Sequence, residues 1–139
     1  MSTVRVFKRT ILQRKRQSAL QPNERAGLAA FVELLRTRYG DDLLRVALFG
    51  SKARGDFDAE SDVDVLVLVR DGDHWQRLAE ISDLTSQLLL ESGVNISPLV
   101  CDVTRYRWWA DHHAPIYNSI QCDGVELWTK RNEPLLQSA

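Results

Sequence analysis

The sequence predicts a single α/β domain in which helices flank a small β-sheet. Two short, almost wholly apolar runs, Leu43–Phe49 and Val63–Val69, have the length of buried strands, and the second is nearly all β-branched or leucine. Two longer stretches, Asn23–Tyr39 and Trp75–Glu91, repeat apolar residues at helical spacing. The 139 residues can bury one core, and the 44% apolar and 27% charged content is typical of a globular protein.

The predicted helices have recognisable ends. Pro22 suits a first helical turn, where it removes no internal hydrogen bond, and Gly40 and Gly93 are natural stops. A capping Thr104 predicts a short helix over Thr104–Trp109, and a first-turn proline predicts another over Pro115–Cys122.

Two further strands complete the predicted sheet. Val94–Val100 is apolar, but Pro98 lacks a ladder donor, which indicates an edge strand or a bulge. Val125–Trp128 is a short fourth strand. We expect one domain over residues 21–130, without an internal linker.

The two ends of the chain differ from this domain. Residues 1–20 contain six cations and no acid, which predicts either a solvated extension or a contact arm for an acidic partner or nucleic acid. Residues 131–139 are polar, contain Pro134 and are predicted to form a loose tail.

Composition disfavours several functional classes. The net charge of −1 does not favour general binding to nucleic acid or to a membrane surface. No apolar run reaches membrane-spanning length, and the N-terminus lacks a secretory apolar segment. Cys101 and Cys122 are too few for a disulfide scaffold or a zinc site, so we expect a cytoplasmic protein with reduced thiols.

Candidate binding residues are concentrated in Gly50–Val67. Gly50 follows a predicted strand and lets a ligand approach the backbone, and Ser51 offers a hydroxyl and an N–H to an anion. Lys52 and Arg54 add positive charge beside this turn. These residue types together predict a phosphate-binding turn.

Asp62 and Asp64 stand at the head of the second predicted strand. Their spacing of two residues directs both carboxylates to one face of the sheet. Paired carboxylates can hold Mg²⁺, which prefers hard oxygen ligands and shares them with phosphates. The Asp-x-Asp and the Gly-Ser are each common alone, but their combination predicts a site for Mg²⁺ and a nucleotide.

The segments Leu48–Asp56 (LFGSKARGD) and Ser61–Val67 (SDVDVLV) resemble the signature of the DNA polymerase β-like nucleotidyltransferase superfamily. Within it, the small size is similar to that of the minimal nucleotidyltransferases, or MNT proteins. The resemblance implies the polymerase β-like α+β fold with a mixed sheet, and transfer of a nucleoside monophosphate, usually from ATP, with Mg²⁺. It also implies that Gly50 and Ser51 bind the triphosphate, while Asp62 and Asp64 ligate the metal and are catalytic.

One position departs from that pattern. The superfamily has a third carboxylate on a neighbouring strand, and the matching residue here is Asn95. The amide oxygen of Asn95 can ligate a metal, but the amide cannot accept a proton from an attacking hydroxyl. Asp102 could replace the missing acid only if Pro98 marks a bulge, because strand alternation otherwise directs Asp102 to the opposite face.

The resemblance implies that the acceptor is another molecule, since MNT proteins lack an acceptor-binding domain. It points to a HEPN-domain RNase toxin as the partner. The leading hypothesis is an antitoxin that transfers AMP from ATP to a tyrosine of the toxin. The alternative is a catalytically impaired module that inhibits the toxin by complex formation, and either could form a homo- or hetero-oligomer. A small-molecule or tRNA nucleotidyltransferase agrees less well with the size and charge.

Three other groups of residues have alternative interpretations. Asp56, Asp58 and Glu60 form either a solvated acidic loop or the surroundings of the metal site. His112-His113 is interpreted as a polar helix end rather than a metal site. The alternating arginines and aromatics of Arg105–Trp109 fit a half-buried helix or a protein interface, and superficially a base-stacking surface.

Overall fold

The computed structural model describes residues 20–55 and 62–137. The basic extension up to residue 19 and the acidic loop with Asp56, Asp58 and Glu60 lie outside these ranges. The helices of the described residues are α1 (Pro22–Tyr39), α2 (Ser51–Arg54), α3 (His74–Ser92), α4 (Val103–Asp111), α5 (Pro115–Asp123) and α6 (Pro134–Gln137). A 3₁₀ turn, Gly40–Asp42, joins α1 to the first strand.

The strands of the described residues are β1 (Leu43–Phe49), β2 (Val63–Val69), β3 (Ile96–Asp102) and β4 (Val125–Thr129), in the sheet order β3-β2-β1-β4. β1 is antiparallel to β2 and β4, whereas β2 and β3 are parallel. The sheet is therefore mixed, as predicted. β3 lies at an edge, where Pro98 is tolerated, and its register with β2 contains no bulge.

Helices pack on both faces of the sheet. On the first face, α1 and α3 cover the sheet with side chains such as Phe31 and Ile81. On the second face, α4 and α5 do the same with Trp109 and Ile120. Alternation along β2 divides its residues between the two cores: Val65 and Val67 lie in the first, Leu66 and Leu68 in the second.

The α4 helix supports one interpretation of the Arg105–Trp109 segment. Tyr106 and Trp109 are buried in the second core, whereas Trp108 is exposed. This pattern is that of a half-buried helix. No helix in the described ranges has the length and apolar character needed to cross a membrane.

The prediction that Thr104 caps this helix is wrong. The N-cap is Asp102, whose carboxylate accepts the N–H of Arg105 at 2.9 Å. Thr104 instead donates its N–H and its hydroxyl to Asp71, at 3.0 and 2.6 Å. Local sequence did not show which of Asp102 and Thr104 is the N-cap, because Asp71, the partner of Thr104, is distant in the chain.

The third strand was predicted over Val94–Val100, but β3 begins and ends two residues later, at Ile96 and Asp102. Asn95 precedes the ladder, although its carbonyl already accepts the N–H of Val63 at 3.0 Å. At the far end, Cys101 and Asp102 still pair with β2.

The described part of the 131–139 segment makes specific contacts. Glu133 is buried and pairs with Arg70 at 3.0 Å, and Leu136 of α6 packs against the second core.

A buried polar network joins β1 to the second-face helices. Arg45, which interrupts the apolar run of β1, is 5% exposed and forms an ion pair with Glu126 of β4, which is 8% exposed. Its guanidinium also donates to the Tyr106 hydroxyl and to Gln121, each at 3.0 Å. Every partner comes from a different element, so the network fixes α4, α5 and β4 relative to β1.

We predict that Glu126→Gln lowers the free energy of unfolding by about 3 kcal/mol, because it leaves the Arg45 charge buried without its counter-ion. The matched control is Glu33→Gln, which removes an exposed ion pair with Arg36 and should cost below about 1 kcal/mol. Urea unfolding measures both values. Equal costs for the two variants would contradict the structural role of the network.

Candidate functional site

The predicted site residues meet at one end of the sheet. Phe49, the last residue of β1, pairs with Asp64 of β2, and Asp64 pairs in turn with Ser97 of β3. The turn after β1 therefore lies beside the head of β2. Asp62 is exposed and Asp64 half-buried, and alternation along β2 directs both to the second face.

Gly50 contacts the Asp64 carboxylate directly. Its φ of 75° favours glycine, and a Cβ added there would lie 2.4 Å from Oδ2 of Asp64. The carbonyl of Gly50 accepts the N–H groups of Ala53 and Arg54, each at 3.1 Å, which begins α2. A side chain at position 50 would displace the carboxylate or the turn.

The four residues of α2 point into different surroundings. Ser51 is half-buried, Ala53 belongs to the first core and Arg54 is exposed. Lys52 is fully buried, and its Nζ lies 2.9 Å from Oε2 of Glu24 on α1. The two cations that the sequence placed together beside the phosphate turn are thus separated, and Arg54 is the exposed one.

The electrostatics of Asp64 indicate a site suited to a cation. Burial raises the pKa of Asp64, the neighbouring Asp62 carboxylate raises this pKa further, and Arg54 partly opposes both effects. Two carboxylates held side by side repel each other, and a bound divalent cation would relieve the repulsion.

Asn95 lies at the expected third position. Its Nδ2 donates to Oδ1 of Asp62 at 2.7 Å. Asp102 does not replace the missing acid, because it pairs with Val69 at the other end of β2 and caps α4. The suggestion that a bulge at Pro98 could redirect Asp102 is therefore wrong.

The donor set fits Mg²⁺. Asp62 and Asp64 supply carboxylate oxygens and Asn95 can supply a neutral one, which are the hard donors that this ion prefers. Among residues 20–55 and 62–137, no group of three or more His, Cys, Asp or Glu side chains could hold a metal ion. His112 and His113 are exposed at the end of α4, where His112 stacks on Trp108.

Fold and site together define a nucleotidyltransferase: a mixed sheet that holds an Asp-x-Asp pair against a Gly-Ser turn. A family model described as "Nucleotidyltransferase domain" matches residues 28–99, which include this turn and this pair. The chain belongs to the nucleotidyltransferase domain family. The family resemblance predicted from the segments around Gly50 and Asp62 is confirmed.

Two similar proteins of Methanocaldococcus jannaschii are both provisionally named protein adenylyltransferases. One is 43% identical over 70 residues, covering 50% of this chain and 71% of the relative. The other is 40% identical over 78 residues, covering 56% of this chain and 73% of the relative.

One solved structure shares the fold. A provisionally named nucleotidyltransferase from Sulfolobus solfataricus matches with a TM-score of 0.52 and 20% identity, over 91% of this chain and 89% of that chain. A chain in the structure of a tri-AMPylated HEPN toxin of Shewanella oneidensis in complex with an MNT antitoxin is less similar, with a TM-score of 0.46 and 19% identity over 77% of this chain and 73% of that chain.

The contact between Lys52 and Glu24 was not found from the sequence, because the two residues belong to separate elements that are distant in the chain. One signal was present: Glu24 is the third helical residue after Gln21, where a carboxylate can cap the helix. Its Oε1 accepts the N–H of Gln21 at 3.0 Å, which turns the carboxylate towards α2.

We predict that Asp64→Asn stabilises the metal-free protein at pH 8. Because the folded-state pKa of Asp64 is raised, the folded protein binds this proton more tightly than the unfolded chain does. The ionised carboxylate therefore costs stability once the pH rises through its folded pKa, and asparagine removes that cost.

The gain should disappear near pH 3, below the ordinary aspartate pKa of about 3.9. Thermal melting with a chelator, from pH 3 to 8, measures it. The control is Asp83→Asn, an exposed carboxylate of α3, which should show no such pH-dependent gain. A destabilisation by Asp64→Asn that increases with pH would contradict the assignment.

Proposed function

We propose that this chain is a nucleotidyltransferase-type antitoxin that binds Mg·ATP and transfers AMP to a tyrosine of a partner HEPN RNase toxin. The observation that carries the proposal is the Asp62 and Asp64 pair, in which the Asp64 carboxylate lies against the bare α-carbon of Gly50. The resemblance of the site segments to MNT proteins supports the HEPN partner. The names of the M. jannaschii relatives support a protein as acceptor.

Each site residue has a role in this proposal. Gly50 lets the triphosphate approach the backbone, and Ser51 donates its hydroxyl and its N–H, which as a first-turn amide has no acceptor inside the helix. Arg54, exposed and electrostatically coupled to Asp64, neutralises the leaving pyrophosphate. Asp62, Asp64 and the Asn95 oxygen would hold Mg²⁺.

The reaction is a substitution at the α-phosphorus of ATP. The tyrosine oxygen forms a bond to this phosphorus, the bond from the phosphorus to the pyrophosphate oxygen breaks, and pyrophosphate leaves. Bound Mg²⁺ would supply charge neutralisation and lower the pKa of the attacking hydroxyl. The hydroxyl proton passes to solvent water, because Asn95 has no group that can accept it. A cytoplasmic location is part of the proposal, because the cytoplasm supplies the ATP that the reaction uses.

Asn95 supports a second candidate function, a catalytically impaired module that inhibits its toxin by complex formation. The Asn95 amide donates to Asp62 at 2.7 Å, at a position where the superfamily has an acid. Against this candidate, the Asp62 and Asp64 carboxylates are both present although their repulsion has a cost without a cation.

The test mixes the protein with ATP labelled at the α-phosphate, Mg²⁺ and the HEPN-type product of the neighbouring gene. We expect labelled toxin, with the label on a tyrosine by mass spectrometry. Asp62→Asn and Asp64→Asn should each reduce transfer by at least about 100-fold, because each removes a charge that holds the metal. Asp83→Asn is the matched control and should transfer normally.

Asn95→Asp distinguishes the two candidates. If the wild type transfers AMP and this variant transfers it faster, the protein is a working enzyme that lacks its general base. If neither protein transfers label while both bind the toxin, the transferase proposal is overturned and the binding module is supported. Equal transfer by the wild type and by the two aspartate variants would also overturn the assignment of the site.

A further inference from the structure

A buried ion pair lies directly behind the phosphate-binding turn. Lys52, the residue after Ser51, has a fully buried side chain, and its Nζ lies 2.9 Å from Oε2 of Glu24, which is 10% exposed. Buried lysines are rare, because desolvation of the ammonium group is costly unless a counter-ion compensates. A leucine or methionine could fill the same space without that cost, so packing alone does not account for the pair.

Glu24 is itself fixed to the scaffold. Its second oxygen, Oε1, accepts the N–H of Gln21 at 3.0 Å, in a capping box at the start of α1. The following turns of α1 are anchored by Leu28, Phe31 and Leu35 in the first core. The carboxylate therefore connects α2 to the N-terminus of a long, well-packed helix.

The α2 helix depends on such anchors for its orientation. It has only four residues, and one helical turn is marginal without tertiary support. Its backbone hydrogen bonds, from Ala53 and Arg54 to the Gly50 carbonyl and from Gly55 to Ser51, close the helical turn on itself. Ala53 in the first core and the ion pair of Lys52 with Glu24 attach α2 to the rest of the fold.

We propose that Glu24 and Lys52 are positioning residues: their ion pair clamps α2 to α1 and holds Ser51 in the orientation that receives the triphosphate. The identity of the ligand in this inference, a nucleoside triphosphate, rests on the proposed function. It assigns no phosphate contact to Lys52, which acts through Ser51. The sequence had placed Lys52 among the cofactor-binding residues, as a direct partner of the phosphates.

Three variants separate positioning from direct contact. In a positioning role, Glu24→Gln and Lys52→Met each leave one charge buried without its counter-ion, and each disturbs α2. The double variant removes both charges, while the glutamine still accepts the N–H of Gln21, so it should recover much of the wild-type behaviour. If Lys52 bound the phosphates directly, Glu24→Gln would not weaken binding, and the double variant would bind as poorly as Lys52→Met.

The experiment measures two quantities on each full-length protein. Hydrogen exchange of the Ala53 and Arg54 amides reports on α2 without nucleotide, and calorimetry with Mg·ATP reports the dissociation constant. We expect each single variant to exchange these amides faster and to bind about tenfold more weakly, with binding within about threefold of wild type in the double variant.

The matched control is Glu126→Gln, which breaks a second deeply buried ion pair, that with Arg45 on β1. It should lower the melting temperature while leaving α2 exchange and nucleotide affinity unchanged. If Glu24→Gln does not fold, Glu24→Asp, which shortens the side chain by one methylene, takes its place with a smaller effect in the same direction.

The outcomes are distinguishable. If the Ala53 and Arg54 amides exchange at the same rate in Glu24→Gln and in Glu126→Gln, the clamp is overturned, whatever the affinity for nucleotide. A Glu24→Gln protein that binds Mg·ATP as tightly as wild type also overturns it. If the wild type does not bind Mg·ATP, the proposed function fails, and faster α2 exchange in the single variants still supports the clamp.

Discussion

The contact between the α-carbon of Gly50 and the carboxylate of Asp64 is the constraint on which the site depends. It exists because β1 and β2 are antiparallel neighbours, so the turn that ends β1 lies beside the head of β2. It requires glycine, since a Cβ would lie 2.4 Å from the carboxylate oxygen. Burial and the neighbouring Asp62 carboxylate both raise the pKa of Asp64, which makes the site suited to a cation.

The rest of the fold keeps this contact in place. The two cores hold β2 from both faces, so its Asp-x-Asp cannot change register without moving Val65 and Leu66 to the wrong sides. The parallel pairing of β2 with β3 then places Asn95 next to Asp62. Under the proposed function, catalysis and binding make different demands on the same site: paired carboxylates are donors suited to a metal, whereas proton removal needs an acceptor that Asn95 lacks.

Local patterns were sufficient to predict much of this architecture. β1 and β2 have the predicted boundaries, because short apolar runs bounded by glycine, serine and aspartate leave little choice of register. The positions of Asp62, Asp64 and Asn95 on one face followed from strand alternation and family resemblance. Long polar side chains were harder to place. Lys52 and Arg45 find carboxylates on distant elements, and a sequence pattern read locally does not show which cation will be buried with a partner.

The most direct test of the central claim is anomalous diffraction from crystals grown with Mn²⁺ and a non-hydrolysable ATP analogue. We predict an anomalous peak within coordination distance of Asp62 and Asp64, with the triphosphate over Gly50 and Ser51. No peak at these carboxylates, or a nucleotide bound elsewhere with the Asn95–Asp62 hydrogen bond intact, would contradict the account.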